Sequence, residues 1–158
     1  MKKSIFYIGI VLMIAIFSSR EVSAQGWKEI VPLVSTCEDV KRILAVKECE
    51  FPTSEYEFPK YTTTVYFKRD RDEWNVSKDT VIRALVIFKD VLRLRDYETD
   101  FKDYVIKRED DVPEITIYKN DRKGISLSVQ MYNQPEPYIG DIFLYPSEGN
   151  AKKFKCKP

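Results

Sequence analysis

Glu114-Ile115-Thr116-Ile117-Tyr118-Lys119, then Asn120-Asp121-Arg122-Lys123-Gly124, then Ile125-Ser126-Leu127-Ser128-Val129-Gln130-Met131-Tyr132 is the stretch whose reading decides the fold. Two extended runs flank a polar loop that ends in glycine, which is the signal of a β-hairpin. In the second arm Ile125, Leu127, Val129 and Met131 alternate with Ser126, Ser128, Gln130 and Tyr132. Successive side chains of a strand point to opposite faces, so one face of this strand is expected to be buried and the other polar.

The same logic extends in both directions. A proline-rich bend from Asn133 to Pro137 returns the chain into Tyr138–Tyr145, expected as a third strand of the sheet, and Ser147–Phe154 reads as a short terminal helix capped by Ser147. Towards the N-terminus, Leu92–Tyr104 places Leu94, Tyr97, Phe101 and Tyr104 at spacings of three and four and is expected to be helical or turn-like. Thr80–Phe88 is nearly all apolar apart from Arg83, as suits a strand central in its sheet. Tyr61–Phe67 is β-branched and aromatic and reads as another strand, whereas Pro52 and Pro59 mark the segment between them as extended or looping. Ser35-Thr36-Cys37-Glu38 has the spacing of a capping box, and Val40, Ile43 and Leu44 follow at helical spacing, which predicts a helix from Thr36 to about Ala45. Strands outnumber helices and hairpins link them. The expected class is α+β: an antiparallel sheet of about four to six strands with short helices packed on one face.

The first 24 residues read as a secretory signal. Met1-Lys2-Lys3 is basic, Ile5–Phe17 is apolar, and Val22-Ser23-Ala24 supplies small residues before a cleavage expected at Ala24-Gln25. The remaining residues, 25–158, have the length of one domain. The expected address is the periplasm or the extracellular space. Taking away Lys2, Lys3, Arg20 and Glu21 leaves 23 Lys+Arg against 24 Asp+Glu. A balanced charge argues against nucleic acid as a partner, because phosphate backbones reward a basic surface. The mixed run Lys68-Arg69-Asp70-Arg71-Asp72-Glu73 reads as a solvated turn, and Trp27 and Trp74 as packing anchors.

Histidine is absent from the chain. That removes imidazole bases, Ser-His-Asp and Cys-His catalysis, and nearly all common catalytic zinc sites. No two of the glycines after residue 25 lie close enough to build a phosphate-cradling loop, and no calcium-loop pattern is present. Neither a metal nor a cofactor is expected. The acid-base chemistry left to such a chain is a carboxylate pair, for which Glu48, Glu50, Glu55 and Glu57, or Asp110-Asp111, are candidates. No catalytic residue is nominated.

Three cysteines, Cys37, Cys49 and Cys156, leave one thiol over after a single disulfide. Cys37 to Cys49 is favoured, because a short helix beginning at Cys37 followed by a returning chain brings position 49 within reach, leaving Cys156 free or paired between chains. The rival is a Cys49 to Cys156 staple holding the tail. Aromatic residues at Phe51, Tyr56, Phe58 and Tyr61, together with Tyr138 in the later bend, are candidate contact residues, since rings offer large area at small entropic cost.

Gly26-Trp27-Lys28-Glu29-Ile30-Val31-Pro32-Leu33, Ser35-Thr36, Asp39-Val40 with Arg42 and Leu44, then Trp74-Asn75-Val76 with Thr80-Val81, and a lysine-rich end closing on Cys156, resemble a family of small secreted bacterial proteins of uncharacterised function. Members of that family place a cysteine shortly before the Trp-Asn-Val segment. Arg69–Glu73 has none here, so the resemblance implies an unpaired Cys156. More remotely, a capped helix before aromatic-rich strands is similar to the small outer-membrane assembly lipoproteins and the β-lactamase-inhibitor-protein superfold. Those are binding and scaffolding modules, and this chain departs from them where Ala45-Val46 replaces Gly-x-Pro. The function expected is an exported, non-enzymatic binding domain whose partner is a protein or a cell-envelope component. The alternatives are a small carboxylate hydrolase of envelope polysaccharide and a secreted enzyme inhibitor.

Overall fold

The computed structural model describes residues 26–97, 100–108, 114–131 and 134–156. The expected signal, residues 1–24, lies outside the described residues, as do Asp110-Asp111 and Asn133. A 3-10 turn at Gly26–Glu29 leads to helix α1 (Cys37–Leu44) and strands β1 (Thr53–Glu57), β2 (Tyr61–Phe67) and β3 (Val81–Arg93). After 3-10 turns at Leu94–Asp96 and Phe101–Asp103 come β4 (Val105–Arg108), β5 (Ile115–Asn120), β6 (Ile125–Gln130), β7 (Tyr138–Leu144) and helix α2 (Glu148–Phe154).

The strands form one antiparallel sheet of seven, in the order β1-β2-β3-β7-β6-β5-β4. Four to six were expected, and the unforeseen ones are the edges. β1 lies between Pro52 and Pro59, in the segment expected to be extended or looping; it is extended and paired, and an edge strand tolerates flanking prolines because it is paired on one side alone. β4 is four residues long and exposed throughout, so it carries no alternation to read. The 92–104 segment, expected to be helical or turn-like, is corrected at its start, where Leu92 and Arg93 finish β3, and carries two short 3-10 turns among its described residues.

The deciding hairpin forms as read. Asn120 pairs with Ile125, its Oδ1 accepts the Lys123 N–H at 3.0 Å, and Gly124 sits at φ 67. A side chain at Gly124 would run into the Tyr145 carbonyl and the Ser147 nitrogen, so the backbone approach itself demands glycine. Leu127 and Val129 are buried, but Met131 lies past the strand and is exposed.

Directly opposed residues share a face, so the register fixes what each side of the sheet carries. One inward row runs Tyr56, Thr63, Val86, Ile142, Leu127, Tyr118, Ile106 across all seven strands. A second runs Ser54, Val65, Ala84, Leu144, Ile125, Asn120. Val65, Ala84, Val86, Leu127 and Ile142 have no exposed surface. Each such aliphatic side chain larger than alanine contributes about 1.5–3 kcal/mol by leaving water. Val40 and Leu44 of α1 join this cluster with Trp27 and Ile30, whereas α2 buries none of its residues.

The cap of α1 is displaced by one residue from the sequence reading. Thr36, not Ser35, is the N-cap, and Asp39, not Glu38, closes the box by accepting the Thr36 N–H at 3.0 Å. That hydrogen bond, helped by Arg42, holds the Asp39 carboxyl below its usual pKa. Ser35 Oγ instead accepts the Val31 N–H, and Glu38 pairs with Lys41. Ala45 takes the left-handed conformation at φ 54 that glycine would favour at a helix end. α2 begins at the expected cap, Ser147, whose side chain accepts from the Asn150 N–H.

Cys37 and Cys49 form a disulfide with Cα atoms 6.1 Å apart, tying the first turn of α1 to the chain entering β1. Cys156 is free and exposed, which overturns the Cys49 to Cys156 staple.

Candidate functional site

The face opposite the core is also continuous across seven strands. Its first row runs Glu57, Thr62, Ile87, Asp141, Ser128, Ile117, Lys107, and its second Glu55, Thr64, Leu85, Phe143, Ser126, Lys119, Val105. Of these fourteen residues only Ser128 is buried. Leu85, Ile87 and Phe143 form an apolar patch where β3 meets β7, next to Asp141, Ser126 and Ser128, and Ile117 stands apart on β5, while carboxylates stand on β1 and ammonium groups on β4 and β5. Lys89 pairs with Glu57 at 2.6 Å and Lys119 with Asp121 at 3.0 Å, whereas Glu55 and Lys107 have no ion pair among the described residues. Asp141 stands on the central strand of this face, between Ile87 and Ser128. Loss of water there raises its pKa, and a hydrogen bond from Ser128 offsets the rise only in part.

At one end of this face the β2–β3 loop folds over the sheet and encloses a cleft of about 310 Å³. Tyr66, Phe143 and Tyr145 give it ring surfaces from the sheet side, and Trp74 closes it from the loop. Trp74 is held there because the loop bridges to Lys155, with Asn75 N–H donating to the Phe154 carbonyl at 2.7 Å and Cys156 N–H to the Glu73 carbonyl at 2.8 Å. The Arg83 guanidinium lies 4.3 Å from the centre of the Tyr66 ring. Arg69 and Asp72 enter on a tight turn in which Asp72 Oδ2 accepts the Arg69 N–H at 2.6 Å. Neither arginine forms an ion pair among the described residues.

A second cavity, of about 300 Å³, opens between the Trp27–Pro32 segment and the chain around Tyr97, Tyr104 and Gly124. Trp27 is 1% exposed, and its Nε1 has no hydrogen-bond partner among the described residues. Lys28 Nζ stands 5.0 Å from the Tyr97 ring centre and 5.7 Å from that of Trp27. Burial pushes the Tyr104 hydroxyl up to about 12. A third cavity of about 270 Å³ shares Trp27 and Tyr97 as walls and adds Asp90.

The five aromatic contact candidates are scattered. Tyr61 is 3% exposed and belongs to the core, so it offers no contact area, a correction that follows from its place at the buried start of β2. Phe58 packs against Tyr61 with ring centres 4.8 Å apart, and Tyr56 is half-buried with its hydroxyl donating to the Glu48 carbonyl. Phe51 is exposed on one side and packs on Phe67 with the other. Tyr138 is half-buried and donates to Gln130 Oε1 at 3.1 Å. None of the five lines the cleft. Its residues were missed because Arg69, Asp72 and Trp74 read as a charged turn beside a packing anchor, and nothing in the spacing says that the loop bends back over Arg83. Trp27 is a packing anchor as read, while Trp74 is half-exposed.

For carboxylate hydrolysis, two acidic groups must face each other across a cleft. The three cavities hold one carboxylate at most: Asp72 in the first, none in the second, Asp90 in the third. Among the described residues no cluster of three cysteine, aspartate or glutamate side chains could hold a metal ion, and no helix is long and apolar enough to cross a membrane. The Cys37–Cys49 disulfide is compatible with a periplasmic or extracellular protein. No family model, curated protein or solved structure matches the chain.

Proposed function

We propose that this protein is an exported, non-enzymatic binding module and that the outward sheet face is its contact surface, with a protein or another component of the cell envelope as partner. The observation that carries the reading is the pair of seven-strand rows in which a single residue of fourteen is buried. A sheet normally covers its apolar side chains, and a face that leaves Leu85, Ile87 and Phe143 partly open to water, with charged side chains towards both edges, has the make-up of a small interface core and its rim. Export is supported by the leader-like residues 1–24 and by a disulfide suited to an oxidising compartment. The resemblance to small secreted bacterial proteins points the same way.

Side-chain footprinting with hydroxyl radicals, in cell-envelope extract and in buffer, tests this. Leu85, Ile87, Ile117 and Phe143 are expected to lose reactivity in extract while Val31 and Val34, exposed outside the face, keep theirs. Protection elsewhere with the face unchanged would sink the proposal.

A further inference from the structure

Resting on the reading of the outward face as a binding surface, we infer that the cleft at its end, between Arg69, Arg83 and Trp74, is a subsite for a sugar unit that carries a carboxylate. Size comes first. A cleft of about 310 Å³ lies at the lower limit of small-ligand sites, which run from roughly 300 to 1,000 Å³, and suits one or two rings.

Charge narrows the class. Two arginines that form no ion pair among the described residues line one cleft, and a guanidinium is a planar fork of donors that matches a carboxylate. The Arg83 guanidinium rests against the Tyr66 ring, 4.3 Å from its centre, and forms no ion pair among the described residues, so its charge is left for an anion. A neutral ligand leaves both guanidiniums unused. A polyphosphate is disfavoured for the opposite reason, because the Asp72 carboxylate stands in the same cleft and would repel dense negative charge. Asp72 Oδ2 is taken by the Arg69 N–H, while Oδ1 has no donor among the described residues and is open to a hydroxyl. The ligand is therefore one acid group together with hydroxyls. Trp74, Tyr145 and Phe143 add ring surfaces against which the apolar C–H face of a pyranose can lie, and Phe143 stacks on Tyr145 with centres 6.0 Å apart, so that wall is already ordered.

Trp74 also supplies the readout, since Trp27 is buried and Trp74 is half-exposed. The probe is a galacturonate trimer, titrated into the protein while tryptophan fluorescence is followed, with calorimetry in parallel. Saturable binding is expected, weakened about tenfold or more by Arg83→Ala and by Arg69→Ala, and equally by methyl esterification of the probe. Arg83→Lys is expected to retain part of the affinity, and Lys28→Ala, at the other cavity, all of it. Unfolding midpoints of the variants separate lost binding from lost structure, and Arg69, on an exposed turn, serves if Arg83→Ala does not fold. No saturable binding at millimolar probe, equal affinity for acid and ester, or tighter binding of a peptide C-terminal carboxylate would each overturn the assignment. A failed titration with the sheet face still protected in extract removes the sugar subsite alone. A successful titration with no such protection removes the wider binding face.

Discussion

The two faces of the sheet are built from the same seven strands and in places from adjacent residues, yet their chemistry differs. Inward, Val86 and Ile142 have no exposed surface and meet α1 and the Trp27 turn in one cluster. Outward, Ile87 is 48% exposed, and Asp141 stands next to it across the β3–β7 pair. A one-residue step along a strand exchanges the faces, so the register alone separates residues that hold the fold together from residues free to recognise something else.

The sharpest way to break this division is to make the same change on neighbouring residues. Val86→Ser leaves a void and a buried hydroxyl, and is expected to cost about 3 kcal/mol, whereas Ile87→Ser is expected to stay within about 1 kcal/mol. Urea unfolding of both variants measures it, and equal losses would mean that the outward face is covered. The next effect concerns what fastens α1 beside the inward face. Cys49→Ser is expected to lower stability by about 2–4 kcal/mol, and reductant to lower the unmodified protein by a similar amount without moving the variant. Cys156→Ser should leave the unfolding midpoint where it was, because that thiol is exposed and unpaired.

The smallest effect belongs to the outward face. Folding raises the pKa of Asp141, so the folded state holds this proton more tightly than the unfolded chain. The stability contribution is then fully present below the ordinary value of 3.8 and is lost as pH rises through the raised one. Asp141→Asn is therefore expected to be more stable than the unmodified protein at neutral pH, with the gain shrinking towards acid. Thermal unfolding across that range reads it, and a gain that grows on acidification would reverse the sign.

How much of this was legible in the sequence differs from strand to strand for physical reasons. β6 could be read because its inward positions are aliphatic and its outward ones are serine and glutamine. β3 could be read as interior because Leu85 and Ile87 are apolar on the outward side too, which is why its outward face looked like a second buried one. β4 escaped notice because it is short and exposed on both faces, and β1, expected as extended or looping, could not be told from a loop because its one buried position is Ser54. Tyr61 was read as surface from its company of rings, but company in sequence says nothing of direction along a strand. The Cys37–Cys49 bond was legible because it is local and follows from one helix turn and a return. The arginine cleft was not, because its parts come from β2, β3, the loop between them and the end of β7, and only the fold brings these together.

The strand order has a kinetic consequence. β1-β2-β3 and β4-β5-β6-β7 are each a meander whose pairings can form between close neighbours in sequence, and the seam that joins them is β3 against β7. Ala84 must find Leu144, and Val86 must find Ile142, across nearly the whole second meander. Closing so long a loop costs entropy before its contacts repay anything, so the two halves are expected to assemble first and their union to limit the folding rate. Amides along that seam, the last to be joined, lie in the middle of the finished sheet and should exchange with solvent only when the whole molecule opens.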